Sequence, residues 1–455
     1  MTAPLPLGDI PETYLPLQTI RSRWNEVFLY GVVGLLVFAP LAFGAVELWA
    51  VTVLEISAAA LVLVWAMRQM KSGTIVVAGN PVFAPMCAFS AVIFLQLAVG
   101  APNYRHVTSS ALLLFVAYGC MSFLITQAMA RTTDVRRVTT ALTIFGACFA
   151  MFAVLQSLSS NGKLYWLRTP RFGGWIYGSY VNHNHYAGLM EMLAPIPLVY
   201  AFSKYAHGRK RWMAAAAAAF MGASIFLSGS RGGMAAFSFE VALFFWFLFR
   251  ERTRNGTVLV LSAFLLIALA CVAWIGGSEV SDRISTLAVA GHSDVRTDIR
   301  VAIDRDSLHM FAKRPILGWG LGAFPGVYPQ FRSFYTNAFV NQAHNDYLQL
   351  LTETGLLGFG VGIWFVLAAL RPAIRKARTW TADVNGAVAL AALLGVSGIL
   401  VHSFVDFNLQ IPANAMLFYV LCSIAGMNSH FRNPRREQRR NSAVETDCDP
   451  SAISL

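Results

Sequence analysis

Three short polar clusters in an otherwise apolar sequence hold most of the side chains able to do chemistry. The densest is Asn341-Gln-Ala-His-Asn-Asp-Tyr347. At a helical pitch of 3.6 residues, Asp346, Gln349 and Glu353 fall on one face of the segment that follows. A carboxylate such as Glu353, about two turns into an apolar run, is costly there and usually faces a polar cavity. The alternative is a helix cap at Asn345 or Asp346 followed by polar contacts between helices. His344 is the strongest catalytic candidate, because a neutral imidazole accepts a proton near neutral pH. The second cluster is Asn182-His-Asn-His185, with Glu191 beyond it. Its histidines at i and i+2 do not share a helical face, and no carboxylate follows at a ligating spacing. Capping and hydrogen bonding to sugar, through Asn184 and His185, are therefore favoured over metal. The third cluster is His402-Ser-Phe-Val-Asp406-Phe-Asn-Leu-Gln-Ile-Pro412.

Arginines supply the complementary charge. Arg231 stands alone in Ser228-Gly-Ser-Arg-Gly-Gly233, while Arg283, Arg296, Arg300, Arg305, Lys313, Arg314 and Arg332 fill the segment 277–345. A guanidinium stays charged and binds phosphate through two donors at once. At a membrane surface the fitting ligand is a lipid-linked phosphate. The competing reading pairs the arginines of 277–345 with Asp282, Asp294, Asp298, Asp304 and Asp306. For the isolated Arg231, phosphate is favoured.

The elements that must position these groups are membrane spans. Of 455 residues, 56% are hydrophobic and 13% charged, about half the charged fraction of a soluble domain. The first 25 residues lack the apolar region of a signal peptide. Uncharged stretches near 27–46, 49–67, 80–99, 108–129, 138–158, 185–203, 212–228, 232–249, 256–276, 346–370, 384–405 and 411–428 predict about a dozen spans. With the N-terminus inside, every inside loop carries two to five Lys or Arg, the positive-inside pattern. The net charge of +12 is thereby explained by orientation and contact with membrane lipids, and nucleic acid is not an expected partner. Both termini are expected in the cytoplasm and all three clusters on the opposite, periplasmic side.

The expected organisation is a cytoplasmic segment 1–26, nine spans over 27–276, a periplasmic cap 277–345, three spans over 346–428, and a disordered basic tail 429–455. The cap is too long for a structureless loop. Asp298 to Lys313 predicts a helix ended by Pro315, and Gly318-Trp-Gly-Leu-Gly322 a turn. The six cysteines form no C-x-x-C pair and read as packing residues.

The run His344-Asn-Asp-Tyr-Leu-Gln-Leu-Leu-Thr-Glu-Thr-Gly-Leu-Leu-Gly358 resembles the signature of the bacterial O-antigen ligase and polymerase superfamily. Similar, in the expected order, are Asn182-x-Asn-His185, Ser230-Arg-Gly-Gly233, Pro315 to Phe324, Tyr328-Pro-Gln-Phe-Arg332 and Val405 to Asn414. The resemblance covers roughly half the chain. It implies an all-α, GT-C-like polytopic helix bundle of the bacterial inner membrane. Such enzymes move a glycan from undecaprenyl pyrophosphate to an acceptor hydroxyl at the periplasmic face, without metal, cofactor or nucleotide sugar. His344 then corresponds to the catalytic histidine. Arg231 and Arg300 correspond to arginines near the pyrophosphate, with Arg305 less securely placed. Asn184, His185, Asn345, Asp346, Glu353, Arg332 and Asp406 are expected in supporting roles. One departure is Ile303-Asp304-Arg305, where an aromatic is expected beside the arginine. Members of the family ligate O-antigen to lipid A-core, polymerise repeat units or glycosylate proteins; ligation is favoured, with polymerisation next, because the long cap and twelve spans fit. A transporter would show repeated halves and broken helices near mid-membrane; the sequence shows no such repeat.

Overall fold

The computed structural model describes residues 23–73, 75–170, 174–250, 295–336 and 339–427. The expected N-terminal segment, the ninth span at 256–276, the first part of the cap and the basic tail lie outside them, apart from a few boundary residues. The described chain is an all-α polytopic bundle. Its helices are α1 (Arg23–Leu41), α2 (Leu48–Ser72), α3 (Phe83–Ala98), α4 (Arg105–Ala128), α5 (Thr132–Leu158), α6 (His183–Leu193), α7 (Pro195–Phe202), α8 (Gly208–Leu227) and α9 (Arg231–Arg250). They continue with α10 (Val295–Lys313), α11 (Asp346–Ala377), α12 (Val384–His402) and α13 (Pro412–Gly426). Among the described residues there are no strands, only isolated bridges. Every expected span that is described coincides with a helix. Seven helices are long and apolar enough to cross a membrane, while α3 and α13 are apolar but shorter. The sixth span, 185–203, is two helices, α6 and α7. Pro195 begins the second, where a missing amide donor costs nothing at a helix start.

The bundle is layered by burial. In α13, α6 and the middle of α12 nearly every residue is buried, whereas α2 exposes Val53, Ile56 and Leu63. Apolar side chains facing outward are what a helix in lipid requires. The polar clusters belong to the buried layer: they begin α6, end α12 and begin α11.

The cap helix is α10, starting three residues before the expected Asp298. The cap has its own small core of Ile303, Met310, Trp319, Phe324, Val327 and Tyr328. Trp319 donates its indole N–H to the Met310 carbonyl at 2.8 Å. Tyr328 and the Ser333 amide both donate to Asp306, each at 3.0 Å.

The tenth expected span is not one continuous rod. At Gly355 the backbone of α11 turns to φ 64°, ψ −169°, a conformation open to glycine because it has no β-carbon. The cap segment 315–320 enters this break. Leu356 and Leu357 donate to the carbonyls of Pro315 and Ile316 at 2.8 and 3.2 Å. Trp319 and Gly320 donate to those of Thr352 and Glu353 at 3.1 and 2.9 Å. Backbone groups that a broken helix would leave bare in lipid, at several kcal/mol each, are thus satisfied by the cap. Gln96 of α3 seals the same point, donating to Glu353 O at 2.8 Å and to Leu317 O.

Candidate active site

The Asp406 carboxylate organises the site. It lies in the turn between α12 and α13, is 1% exposed, and accepts the Phe407 amide at 2.8 Å. Asn184, in the first turn of α6, donates its side-chain amide to Asp406 Oδ2. Asn182 caps that helix by accepting the Asn184 N–H at 2.9 Å. His185 Nε2 and His344 Nδ1 approach Asp406 Oδ1 at 3.9 and 3.8 Å. These separations are electrostatic contacts rather than closed hydrogen bonds. Phe407 packs edge-on against both imidazoles, with ring centres 4.7 and 4.8 Å apart. Burial alone would push the Asp406 carboxyl up. The His344 imidazole beside it, then His185 and His402, outweigh burial and hold it well below the usual carboxylate range.

His344 is set differently from the others. Its backbone is left-handed at φ 55°, a strain of about 1–3 kcal/mol for a residue with a β-carbon. Three neighbours impose it. Asn345 caps α11, accepting the Tyr347 and Leu348 amides at 3.1 and 3.2 Å. Gln349 Oε1 accepts the Ala343 amide at 3.0 Å. The Asp346 carboxylate accepts from Ser403 Oγ at 2.9 Å, Leu409 N at 3.1 Å and Gln410 Nε2 at 3.3 Å. Asp346 therefore ties the start of α11 to the turn that carries Asp406. His344 Nδ1 is buried facing that carboxylate, while the side chain as a whole is 30% exposed.

The arginines divide. Arg300 donates to the Val405 carbonyl at 3.2 Å, which brings the cap helix onto the Asp406 turn. Asp304, one turn further along α10, feels the fields of both His344 and Arg300. Burial raises its carboxyl, and those two neighbours oppose the rise. Arg231 opens α9, with the Gly233 amide donating to Ser230 Oγ at 3.1 Å. A β-carbon on Gly232 would lie 2.7 Å from the His402 ring and 2.9 Å from Val405. Only glycine lets the arginine-bearing turn rest on the Asp406 turn. Arg305 is exposed and lies about 140° round α10 from Arg300. Arg332 is also exposed, and its field reaches Tyr328 on the Asp306 side of the cap. Glu353 is placed elsewhere as well: it accepts the Gly322 and Phe324 amides at 2.8 and 3.2 Å, clasping the cap turn to α11. The shared face of Asp346, Gln349 and Glu353 is thus engaged with the backbones of three different loops.

Sequence reading left one pair unassigned. Glu191 in α6 and His402 at the end of α12 meet at 2.9 and 3.2 Å, both with side chains 0% exposed. A β-carbon at Gly233 would sit 3.0 Å from Glu191 Oε1, so this pair underlies both glycines after Arg231. A carboxylate inside an apolar span is the signal that could have found it. Among the described residues no group of three or more His, Cys, Asp or Glu side chains is arranged to hold a metal ion.

Residues 216–363 match the family model for the O-antigen ligase. The chain carries an O-antigen ligase domain. The match covers about a third of the chain and includes Arg231, Arg300, Arg305, Arg332, His344, Asn345, Asp346 and Glu353. Asn184, His185 and Asp406 lie outside the ligase domain in sequence and reach it through the fold. A search of curated proteins returns no match. The ligase domain gives this membrane-embedded chain an O-antigen ligase- or polymerase-type, glycosyltransferase-like function, with a lipid-linked glycan and an acceptor as its partners in general terms.

Proposed function

We propose that the protein transfers a glycan from undecaprenyl pyrophosphate to a hydroxyl of lipid A-core at the periplasmic face of the inner membrane. His344 serves as general base. The observation that carries this reading is the strained, half-open His344, whose Nδ1 is turned to a buried, ionised Asp406. A carboxylate at Nδ1 favours the tautomer with the proton there, leaving the Nε2 lone pair for the acceptor.

In the proposed step the acceptor O–H gives its proton to His344 Nε2 and its oxygen bonds to the anomeric carbon. The bond from that carbon to the pyrophosphate breaks, and the electron pair leaves with the phosphate. Arg300, whose guanidinium reaches the Val405 carbonyl, and Arg231, whose neighbour Gly232 rests on Val405, offer guanidinium charge to the departing pyrophosphate. Pyrophosphate is already a good leaving group, so positioning and charge stabilisation provide most of the acceleration. Asn184 and His185 line the same turn and suit sugar hydroxyls. The residues invoked need no metal ion or cofactor.

The break at Gly355 is the feature a transporter reading would use. It is filled by cap backbone instead of lining a cavity, which favours the enzyme. The deciding experiment reconstitutes the full chain with lipid-linked glycan and lipid A-core and scores product length. A single transferred glycan supports ligation. Chains of many units formed without lipid A-core would replace it with repeat-unit polymerisation, and no transfer to either acceptor would remove both.

A further inference from the structure

At the end of α11 away from His344, roughly seven helical turns along, a groove of about 390 Å³ opens on the outer surface of the bundle. Pro81, just before α3, forms one side; Gly360, Trp364, Leu367, Arg371 and Arg375 of α11 are among the residues of the other. Its upper part is apolar and outward-facing, as Ile363 and Trp364 show. At Gly360 a β-carbon would meet nothing within 4 Å, so the slot is open there. Its lower end carries Arg371 and Arg375, one turn apart and exposed. Neither has an acidic partner among the described residues. Lys376 next to them is instead spent on the Met427 carbonyl.

We propose that this groove binds an anionic glycerophospholipid. An acyl chain lies over Gly360 to Leu367 and the phosphate sits between Arg371 and Arg375. Apolar slot and paired guanidiniums follow one another along the helix in the order of such a lipid's acyl chain and phosphate. Two forked cations at i, i+4 bracket a phosphate more specifically than charge alone. Membrane orientation, by contrast, requires only positive charge, which lysine supplies equally. The site does not depend on the glycan-transfer reading.

The test is native mass spectrometry of the detergent-solubilised full chain titrated with phosphatidylglycerol or phosphatidylcholine. The wild type should retain one phosphatidylglycerol in preference to phosphatidylcholine. The double variant Arg371→Lys/Arg375→Lys, which keeps charge and orientation, should bind it roughly tenfold more weakly as the forked contacts are lost. Gly360→Phe fills the slot from its open side with both arginines intact, and should also lose retention. Unchanged phosphatidylglycerol binding in either variant overturns the proposal. So does equal retention of phosphatidylcholine by the wild type, or selective retention of a polyprenyl phosphate in its place.

Discussion

Two histidine–carboxylate pairs lie within one turn of each other on the segment 402–406, and they are built in opposite ways. His402 and Glu191 meet at 2.9 Å with nothing exposed. His344 and Asp406 stand 3.8 Å apart, with the carboxylate buried and the imidazole partly open. The contacts of Asn345, Asp346 and Gln349 and a left-handed backbone hold His344 in place, so its looseness is not slack in the fold. A closed pair has satisfied its charges on each other and serves packing. An open pair keeps one ring nitrogen for a third party. Burial and distance, more than residue type, separate the structural histidine from the one proposed to react.

The sharpest test of that difference is His344→Ala. General acid–base groups contribute about 10²–10⁴-fold, so transfer by the reconstituted protein should fall by that range or more, with thermal stability unchanged. His344→Gln keeps a hydrogen-bonding side chain but takes up no proton in the working pH range, and should be nearly as inactive. A glutamine variant with close to wild-type transfer would make His344 a positioning group and dissolve the contrast.

Asp406→Asn comes next. It keeps the shape and the Phe407 contact but loses the charge that sets the tautomer, and transfer should drop roughly 10²-fold. Its folded value lies below its unfolded one, so its stabilisation is present above the unfolded value near 3.9 and is lost only as pH falls through the folded value. Between about pH 5 and 8 Asp406 stays ionised. The deficit of the asparagine variant should therefore persist throughout that window. A deficit that vanishes at one end would assign the ionisation in that window to Asp406 itself.

Arg231→Lys is expected to be milder. It retains charge at the start of α9 but not the two-donor fork, and a roughly tenfold loss corresponds to about 1.4 kcal/mol. Transfer equal to wild type in Arg231→Ala, with correct insertion, would return that arginine to a packing role.

The helices of the bundle were legible because an apolar run in lipid satisfies its own backbone, so length and composition suffice. Residue types in the candidate site were legible too: His344 and Arg231 stand out locally, and Arg300 through the family resemblance. Their partnership was not. Asp406 lies 62 residues beyond His344, and Asn184 lies before Arg231 in the chain; only the meeting of α6, α11 and α12 brings them together. Glu353 illustrates the opposite limit. A carboxylate in a span marks a cost that something must offset, but the sequence does not say whether substrate or backbone does so. Here backbone amides of the cap turn do. That cap enters through the break at Gly355, which helical periodicity passes over because a lone glycine in a span is common. Glu191, equally costly within its span, was noted only beside a possible metal site, since its partner His402 is 211 residues away.

The smallest effect on chemistry is expected at the closed pair, and there the comparison is most open to failure. Glu191→Gln leaves His402 without its anion in a fully buried site, and removing one partner of a buried pair costs about 3–5 kcal/mol. The loss should appear as a lower melting temperature and less folded protein. Transfer per folded molecule should fall by no more than about tenfold, through slight displacement of the Arg231 turn that rests on the pair. Adding His402→Asn should cost less than the sum of the two single changes, because the second removes a charge already stranded by the first. If instead Glu191→Gln abolished transfer with the melting temperature unchanged, the closed pair would take part in the reaction. Burial would then no longer separate the two histidines, and the protons of the step would have to be shared across both pairs.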